Sequence, residues 1–209
     1  MKLYSYWRST TSYRVRAALH LKGVAHQIVP VDLLQGAQQA AEYAALNPIK
    51  GVPTLVLPDG RALTQSMAIL EWLEAAFPSP PLLTGDVFEQ AQQRAAALVI
   101  ATDVHPVNNL KVVSKIRGMG HSQEDGIAWM QHWIAEGFAA FGALIRTDTP
   151  FCFGTAPGWA DLCLVSQLYN AHRWHVDLAP FARLTDIEAR CLSLPAFDAA
   201  RPENQPDAS

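Results

Sequence analysis

Cysteine is scarce in this 209-residue chain: Cys152, Cys163 and Cys191 are the whole complement. An odd number without metal spacing excludes a disulfide framework and a thiolate metal site. The three are expected as reduced, packed thiols in a cytoplasmic protein. Histidine offers no alternative, since His172 and His175 lack a third ligand, and no metal is expected. No apolar run reaches the ~18 residues a spanning helix needs, and no charged leader with an apolar stretch precedes the first strand-like run. An excess of positive charge is missing too. A formal net charge of −3 argues against a general nucleic-acid or membrane-binding surface, so an anionic substrate must be drawn by a local cationic group. Ser-His-Asp and paired-carboxylate arrangements, internal repeats and low-complexity tracts are also absent.

Half the residues are hydrophobic and 17% are charged, enough apolar material to fill a core. Two regimes divide them. Residues 1–80 alternate, opening with a strand at about 2–6 and a helix at about 12–22 closed by Lys22-Gly23. Gln27–Asp32 reads as a strand that Pro30 pushes to a sheet edge, followed by a short helix at about 37–46 that stops at Asn47-Pro48. Val52–Leu57 and Arg61–Thr64 form a hairpin across Pro58-Asp59-Gly60, and a helix runs through Met67–Leu73. Pro78-Ser79-Pro80-Pro81 is the linker signal. Beyond it, apolar spacing predicts helices at about 87–115, 122–146, 159–173 and 180–192, and a loose polar tail after Pro202. The fold class is therefore α+β: a βαβαββα domain over 1–80, then an all-α domain over 86–209. The smaller domain buries little surface alone, so a shared apolar interface with a binding cleft is expected.

Three short segments carry chemistry. Arg8-Ser9-Thr10-Thr11-Ser12 sits at the first strand-to-helix turn, where hydroxyls, exposed backbone N–H groups and a helix dipole suit an anion, a thiolate among them. One hydroxyl would suffice for an ordinary N-cap, and that alternative stands. Val52-Pro53 enters a strand; a cis bond would let Val52 present its N–H and C=O as an added strand requires, whereas a trans bond makes an edge proline. Gln65-Ser66 opens the next helix, with Ser66 placed to cap it and to make a second anion-friendly start. Two such starts flanking exposed backbone fit a small extended peptide with a sulfur at one end and a carboxylate at the other.

The element order, Val52-Pro53 and Gln65-Ser66 resemble a glutathione transferase, a thioredoxin-like domain followed by a helical one. Tyr6 to Arg16 is similar to the signature of the zeta class, the maleylacetoacetate and maleylpyruvate isomerases. The likeness continues through Ala45-Leu46-Asn47-Pro48, His105 to Asn109, Arg173 to Leu178 and Gln205-Pro206-Asp207. The resemblance implies glutathione as coenzyme. Ser9 would hydrogen-bond its sulfur, Thr10 and Thr11 would line the same turn, and Gln38, Val52, Pro53, Gln65 and Ser66 would hold the tripeptide. Thr11 stands where many zeta enzymes carry cysteine.

The resemblance also implies that Arg8 and Arg173 meet substrate carboxylates, with Lys111 where bacterial maleylpyruvate isomerases have arginine; lysine acts there as a point charge. Arg14 and Arg16 read as structural or solvated. Pro106 inside a long helix would kink it and push His105 and Asn109 toward glutathione or substrate; a plain helix irregularity is the alternative. The implied reaction is glutathione-dependent cis–trans isomerisation of a maleyl-type acid in aromatic-compound catabolism. A broader conjugating transferase or dehalogenase, and a non-catalytic binding protein, are the competing functions. The family implies a homodimer.

Overall fold

A computed structural model describes residues 1–208 and divides them into two units: Met1–Pro81 with the segment from Leu192 onward, and Leu82–Cys191. In the first, strand β1 (Lys2–Ser5) lies inside a sheet of order β2-β1-β3-β4. It pairs parallel with β2 (Gln27–Pro30) and antiparallel with β3 (Thr54–Val56), which carries β4 (Ala62–Thr64). Parallel pairing demands a crossover, and helix α1 (Thr10–Leu21) supplies it. Pro30 falls on the edge strand, where a missing ladder donor is tolerated. Leu3 faces Leu55 across the register, both at 0% exposure. The expected helix at 37–46 is broken at Ala40, whose extended backbone separates a 3-10 turn (Ala37–Gln39) from α2 (Ala41–Leu46). Helix α3 (Ser66–Ala76) buries Ile69, Leu70 and Leu73, each worth about 1.5–3 kcal/mol of transfer free energy.

Helix α1 is buried from Ser12 through Leu19 without interruption, Arg14 and Arg16 included. Arg16 is structural, not solvated. Its Nε donates to Ala200 O at 3.0 Å, Nη1 to Ser5 Oγ at 2.9 Å and Nη2 to Trp7 O at 3.0 Å. Ala200 ends α9 (Pro195–Ala200), a helix too short to show in apolar periodicity. Past it, Pro202 and Gln205 are buried, and Gln205 Nε2 donates to Ala199 O and Arg201 O. The tail expected to be loose is thus packed. Its burial against α1 also corrects the boundary at 86–209, because the chain from Leu192 onward groups with the first unit. At the other end of α1, the fully buried Lys22 ammonium donates to Phe77 O and Pro80 O and pairs with Glu74 at 2.9 Å.

The second unit is helical: α4 (Val87–Leu98), α5 (Leu110–Gly118), α6 (Gln123–Leu144), α7 (Trp159–Arg173) and most of α8 (Ala182–Leu192). The helix expected over 87–115 is not continuous. It widens to π geometry over Val99–Val104, gives way to a turn around Pro106, which has no N–H to donate, and restarts at Leu110. At Gly137 an added Cβ would overlap Val104, so α6 lies close on the widened segment. Helix α7 is buried from Trp159 through Leu168. Its start is set by Asp161, whose Oδ2 accepts from Gly158 N at 2.8 Å and Oδ1 from Cys152 N at 2.9 Å. Burial raises this carboxyl above its ordinary value, and the two backbone donors oppose that rise. The three cysteines are buried and form no disulfide, and burial drives the Cys152 and Cys191 thiols upward. No helix among the described residues is long and apolar enough to cross a membrane.

Two substitutions test this framework. Arg16→Leu strips donors from Ser5, Trp7 and Ala200 and should lower unfolding free energy by roughly 3–5 kcal/mol, read by urea titration. Asp161→Ala, which orphans the buried Cys152 N–H and the half-buried Gly158 N–H, should cost about 2–4 kcal/mol. Asp161→Asn, retaining one acceptor oxygen, should cost less.

Candidate active site

The first turn is built from backbone upward. Ser9 N donates to Tyr6 O at 2.9 Å, closing a tight turn after β1. Ser9 then adopts extended backbone (φ −72°, ψ 118°) as the N-cap of α1, its Oγ accepting from Ser12 N at 3.2 Å. Ser9 Oγ lies 2.9 Å from Thr11 Oγ1, and Thr11 Oγ1 donates to Val52 O at 2.8 Å. Each hydroxyl has one proton. Thr11 spends its own on Val52, so Ser9 is the donor in the pair and the protons run Ser9 to Thr11 to Val52. Cap and anion donor are compatible roles, since capping uses a lone pair of Ser9 and leaves its O–H free to turn. Thr10, by contrast, is 2% exposed and faces inward.

The Val52 loop is fixed by residues that sequence reasoning missed. Tyr43 OH and Asn47 Nδ2 both donate to Gly51 O, at 2.5 and 2.8 Å. Asn47 Nδ2 and Tyr43 OH also meet the fully buried Thr54 Oγ1 at 3.0 Å each. Burial holds the Tyr43 phenol above its usual pKa, which keeps it a neutral donor. The Val52–Pro53 bond is cis and Pro53 is buried. Val52 C=O does not point wholly outward as expected, because Thr11 occupies one of its two lone pairs. Ser66 is not the cap of α3 but its first residue. Gln65 occupies the cap at φ 67°, with no capping bond from its side chain. The first-turn N–H groups of α3 have no intrahelical acceptor, which suits a carboxylate. Gln38 lies in the 3-10 turn, its Nε2 donating to Leu33 O at 3.5 Å and its Oε1 buried without a partner.

Arg8 stacks its guanidinium 4.2 Å above the Trp7 ring centroid. In the helical unit Arg173 does the same over Trp174 at 4.6 Å, at the end of α7. That end is held by Gln131 Nε2, donating to Trp174 O and His175 O, with His175 left-handed at φ 55°. His105 is half-buried where the π segment ends, its N–H donating to Ile100 O. Asn109 caps α5, its Oδ1 accepting from Lys111 N at 3.1 Å, so a ligand contact falls to its amide N–H₂. Lys111 is exposed and belongs to α5, not to the first helix of the second unit. Ser9, Thr11, Val52, Gln65 and Arg8 belong to one unit; His105, Asn109, Lys111 and Arg173 belong to the other.

Thr11→Val removes the donor to Val52 and the acceptor for Ser9, and should lower stability by about 1–2 kcal/mol. Thr11→Ser, which preserves the hydroxyl, should stay within about 0.5 kcal/mol, as read by thermal melting.

A family model for the glutathione S-transferase N-terminal domain matches residues 8–76. Maleylacetoacetate isomerase of Pseudomonas aeruginosa is 44% identical over 209 residues, 99% of this chain and 98% of that protein. The solved holo structure of a maleylpyruvate isomerase, described as a bacterial glutathione S-transferase of the zeta class, superposes with a TM-score of 0.96 at 39% identity over the whole of both chains. A maleylacetoacetate isomerase from Anaeromyxobacter dehalogenans, solved with glutathione in its active site, gives 0.90 at 42% identity over 100% of this chain and 97% of that one. Identity of this order across nearly every residue leaves no room for a different ancestry: the chain belongs to the zeta class of glutathione transferases, the family of the maleylacetoacetate and maleylpyruvate isomerases.

Proposed function

We propose that this chain is a glutathione-dependent cis–trans isomerase, converting maleylacetoacetate or maleylpyruvate to the fumaryl isomer in aromatic-compound catabolism. The observation that carries the proposal is the hydroxyl relay at the start of α1, with a stacked arginine next to it in the chain. The residues present suit the tripeptide. Ser9 offers an O–H to sulfur, Val52 a backbone N–H and a carbonyl lone pair, Gln65 and Ser66 a helix start for a carboxylate, and Gln38 an unpartnered buried acceptor for an N–H. Bound glutathione supplies the thiolate nucleophile that makes a conjugated double bond transiently single, and it is returned unchanged.

The chain's own residues do the rest. Ser9 turns its proton from Thr11 toward the sulfur anion, and Thr11 remains anchored to Val52, keeping the Ser9 hydroxyl in place. Arg8 and Arg173 hold substrate carboxylates and stabilise the enolate charge that develops as the double bond is attacked. Lys111 adds a point charge, and His105 and Asn109 contact the tripeptide or substrate. The functional form is a cytoplasmic homodimer.

Magnitudes favour the hydroxyl over the dipole. A helix start contributes about 0.3–1 kcal/mol to an anion, and a hydrogen bond to a charged group roughly 1.5–3. One pKa unit is about 1.36 kcal/mol, so together they lower a thiol pKa of about 8.5 by roughly one to three units. Ser9→Ala should therefore shift the acidic limb of the kcat/KM profile upward and cut turnover at pH 7 at least tenfold. A profile identical to the native one would remove Ser9 from the mechanism. Assays should follow loss of maleyl absorbance with and without glutathione while titrating free thiol. A constant thiol concentration is expected, and its depletion would indicate a conjugating transferase.

A further inference from the structure

The turn that carries Arg8 and Ser9 is clamped from two hundred positions away. Asp207 Oδ2 accepts from Trp7 N–H at 3.0 Å, while Trp7 C=O accepts from Arg16 Nη2 at 3.0 Å. Trp7 is 8% exposed, and its ring is the platform on which the Arg8 guanidinium rests. Both polar backbone groups of this one residue are thus gripped by charged side chains, and its third feature, the ring, carries the Arg8 guanidinium. The carboxylate is presented rigidly. Gln205, two residues earlier, ties back to Ala199 O and Arg201 O, Ala208 N donates to Gln205 O, and α9 is bound to Arg16 through Ala200 O. The connections close a ring from Arg16 to Ala200, along the chain to Asp207, across to Trp7 and back to Arg16. Asp207 Oδ1 and Arg8 Nε are both buried without a hydrogen-bond partner.

From this geometry we propose that Asp207 is a positioning residue for carboxylate recognition, acting through Trp7 on Arg8. A carboxylate accepting a backbone N–H makes a charge-assisted bond, stronger and shorter-ranged in its geometry than a neutral one. Fixing Trp7 fixes the ring beneath Arg8, and a guanidinium held against an aromatic face has fewer orientations to lose when it makes a two-point grip. Losing the acceptor lets the Trp7 peptide rotate and splays Arg8, while the sulfur and tripeptide contacts at Ser9, Val52 and Gln65 remain. The inference rests on the isomerase function proposed above.

The test compares Asp207→Ala, Asp207→Asn and Asp207→Glu with the native chain, at saturating glutathione, on both maleyl acids. Asp207→Ala should raise KM for the maleyl acid at least tenfold and lower kcat as well, because Arg8 both grips the carboxylate and stabilises the developing enolate. Its glutathione Kd by calorimetry should stay within twofold and its melting temperature within a few degrees. Asp207→Asn, which keeps an acceptor oxygen for Trp7 N–H, should recover KM to within threefold. In an Arg8→Ala background, Asp207→Ala should add no further loss, because its effect runs through Arg8. An unchanged KM, a parallel worsening of KM, glutathione Kd and melting temperature, or an undiminished loss in the Arg8→Ala background would each overturn the assignment. Should Asp207→Ala fail to fold, Asp207→Glu decides: displacing the acceptor by one methylene should raise KM at least threefold, and an unaltered KM overturns the role. A native chain inactive on both acids overturns the function and this inference together, whereas an active native chain with an indifferent Asp207→Ala overturns this inference alone.

Discussion

The first unit hangs on one buried guanidinium. Taking the Arg16 charge out of water costs several kcal/mol, and only good geometry with every donor engaged recovers it. Here the acceptors are a strand hydroxyl (Ser5), two consecutive turn carbonyls (Tyr6 and Trp7) and the last carbonyl of a helix 184 residues away. A hydrophobic residue at this position would fill the same space without caring where those carbonyls lie. The guanidinium does care: its five N–H groups are fixed in a plane, so a slip of the turn by an ångström would orphan buried donors and acceptors together. Cost and specificity have the same origin.

What that rigidity protects is a chain of two hydroxyl protons. Thr11 is committed to Val52, and this commitment leaves Ser9 with a proton and no fixed partner but Thr11 itself. The Val52 loop has its own anchorage in Tyr43, Asn47 and Thr54, so the two ends of the relay are set independently by the helix and by the loop. Ser9 is then the one element that can reorient without breaking a backbone contact. A cysteine in place of Thr11 would make a weaker donor to a carbonyl, and the relay would be correspondingly looser.

Much of this was legible in the residues. The Ser9-Thr10-Thr11-Ser12 cluster, the hairpin across Pro58-Asp59-Gly60, the edge position of Pro30 and the linker at Pro78 to Pro81 all follow from local turn and capping chemistry. The cap of α3 falls at Gln65, one position before Ser66, because a left-handed backbone is uncommon for glutamine and no sequence pattern marks it. The break before Leu110 was blurred by apolar spacing that runs on through Val99–Val104, where π geometry keeps the same face inward. The tail misled for a different reason. Its polar composition resembles a loose end, yet Gln205 and Asp207 are polar because they hold backbone groups, and only tertiary structure distinguishes a polar side chain that is solvated from one that is bonded.

The position of the thiols has a bearing on survival in the presence of reactive chemistry. Acids with a conjugated double bond are alkylating agents, and a protein that concentrates them invites modification of its own sulfur. This chain has threonine, not cysteine, at position 11, and its three sulfhydryls are buried in the helical unit, where burial discourages ionisation of Cys152 and Cys191. The reactive sulfur such an electrophile meets at the turn arrives with glutathione and departs again, while the chain's own thiols are kept from solvent.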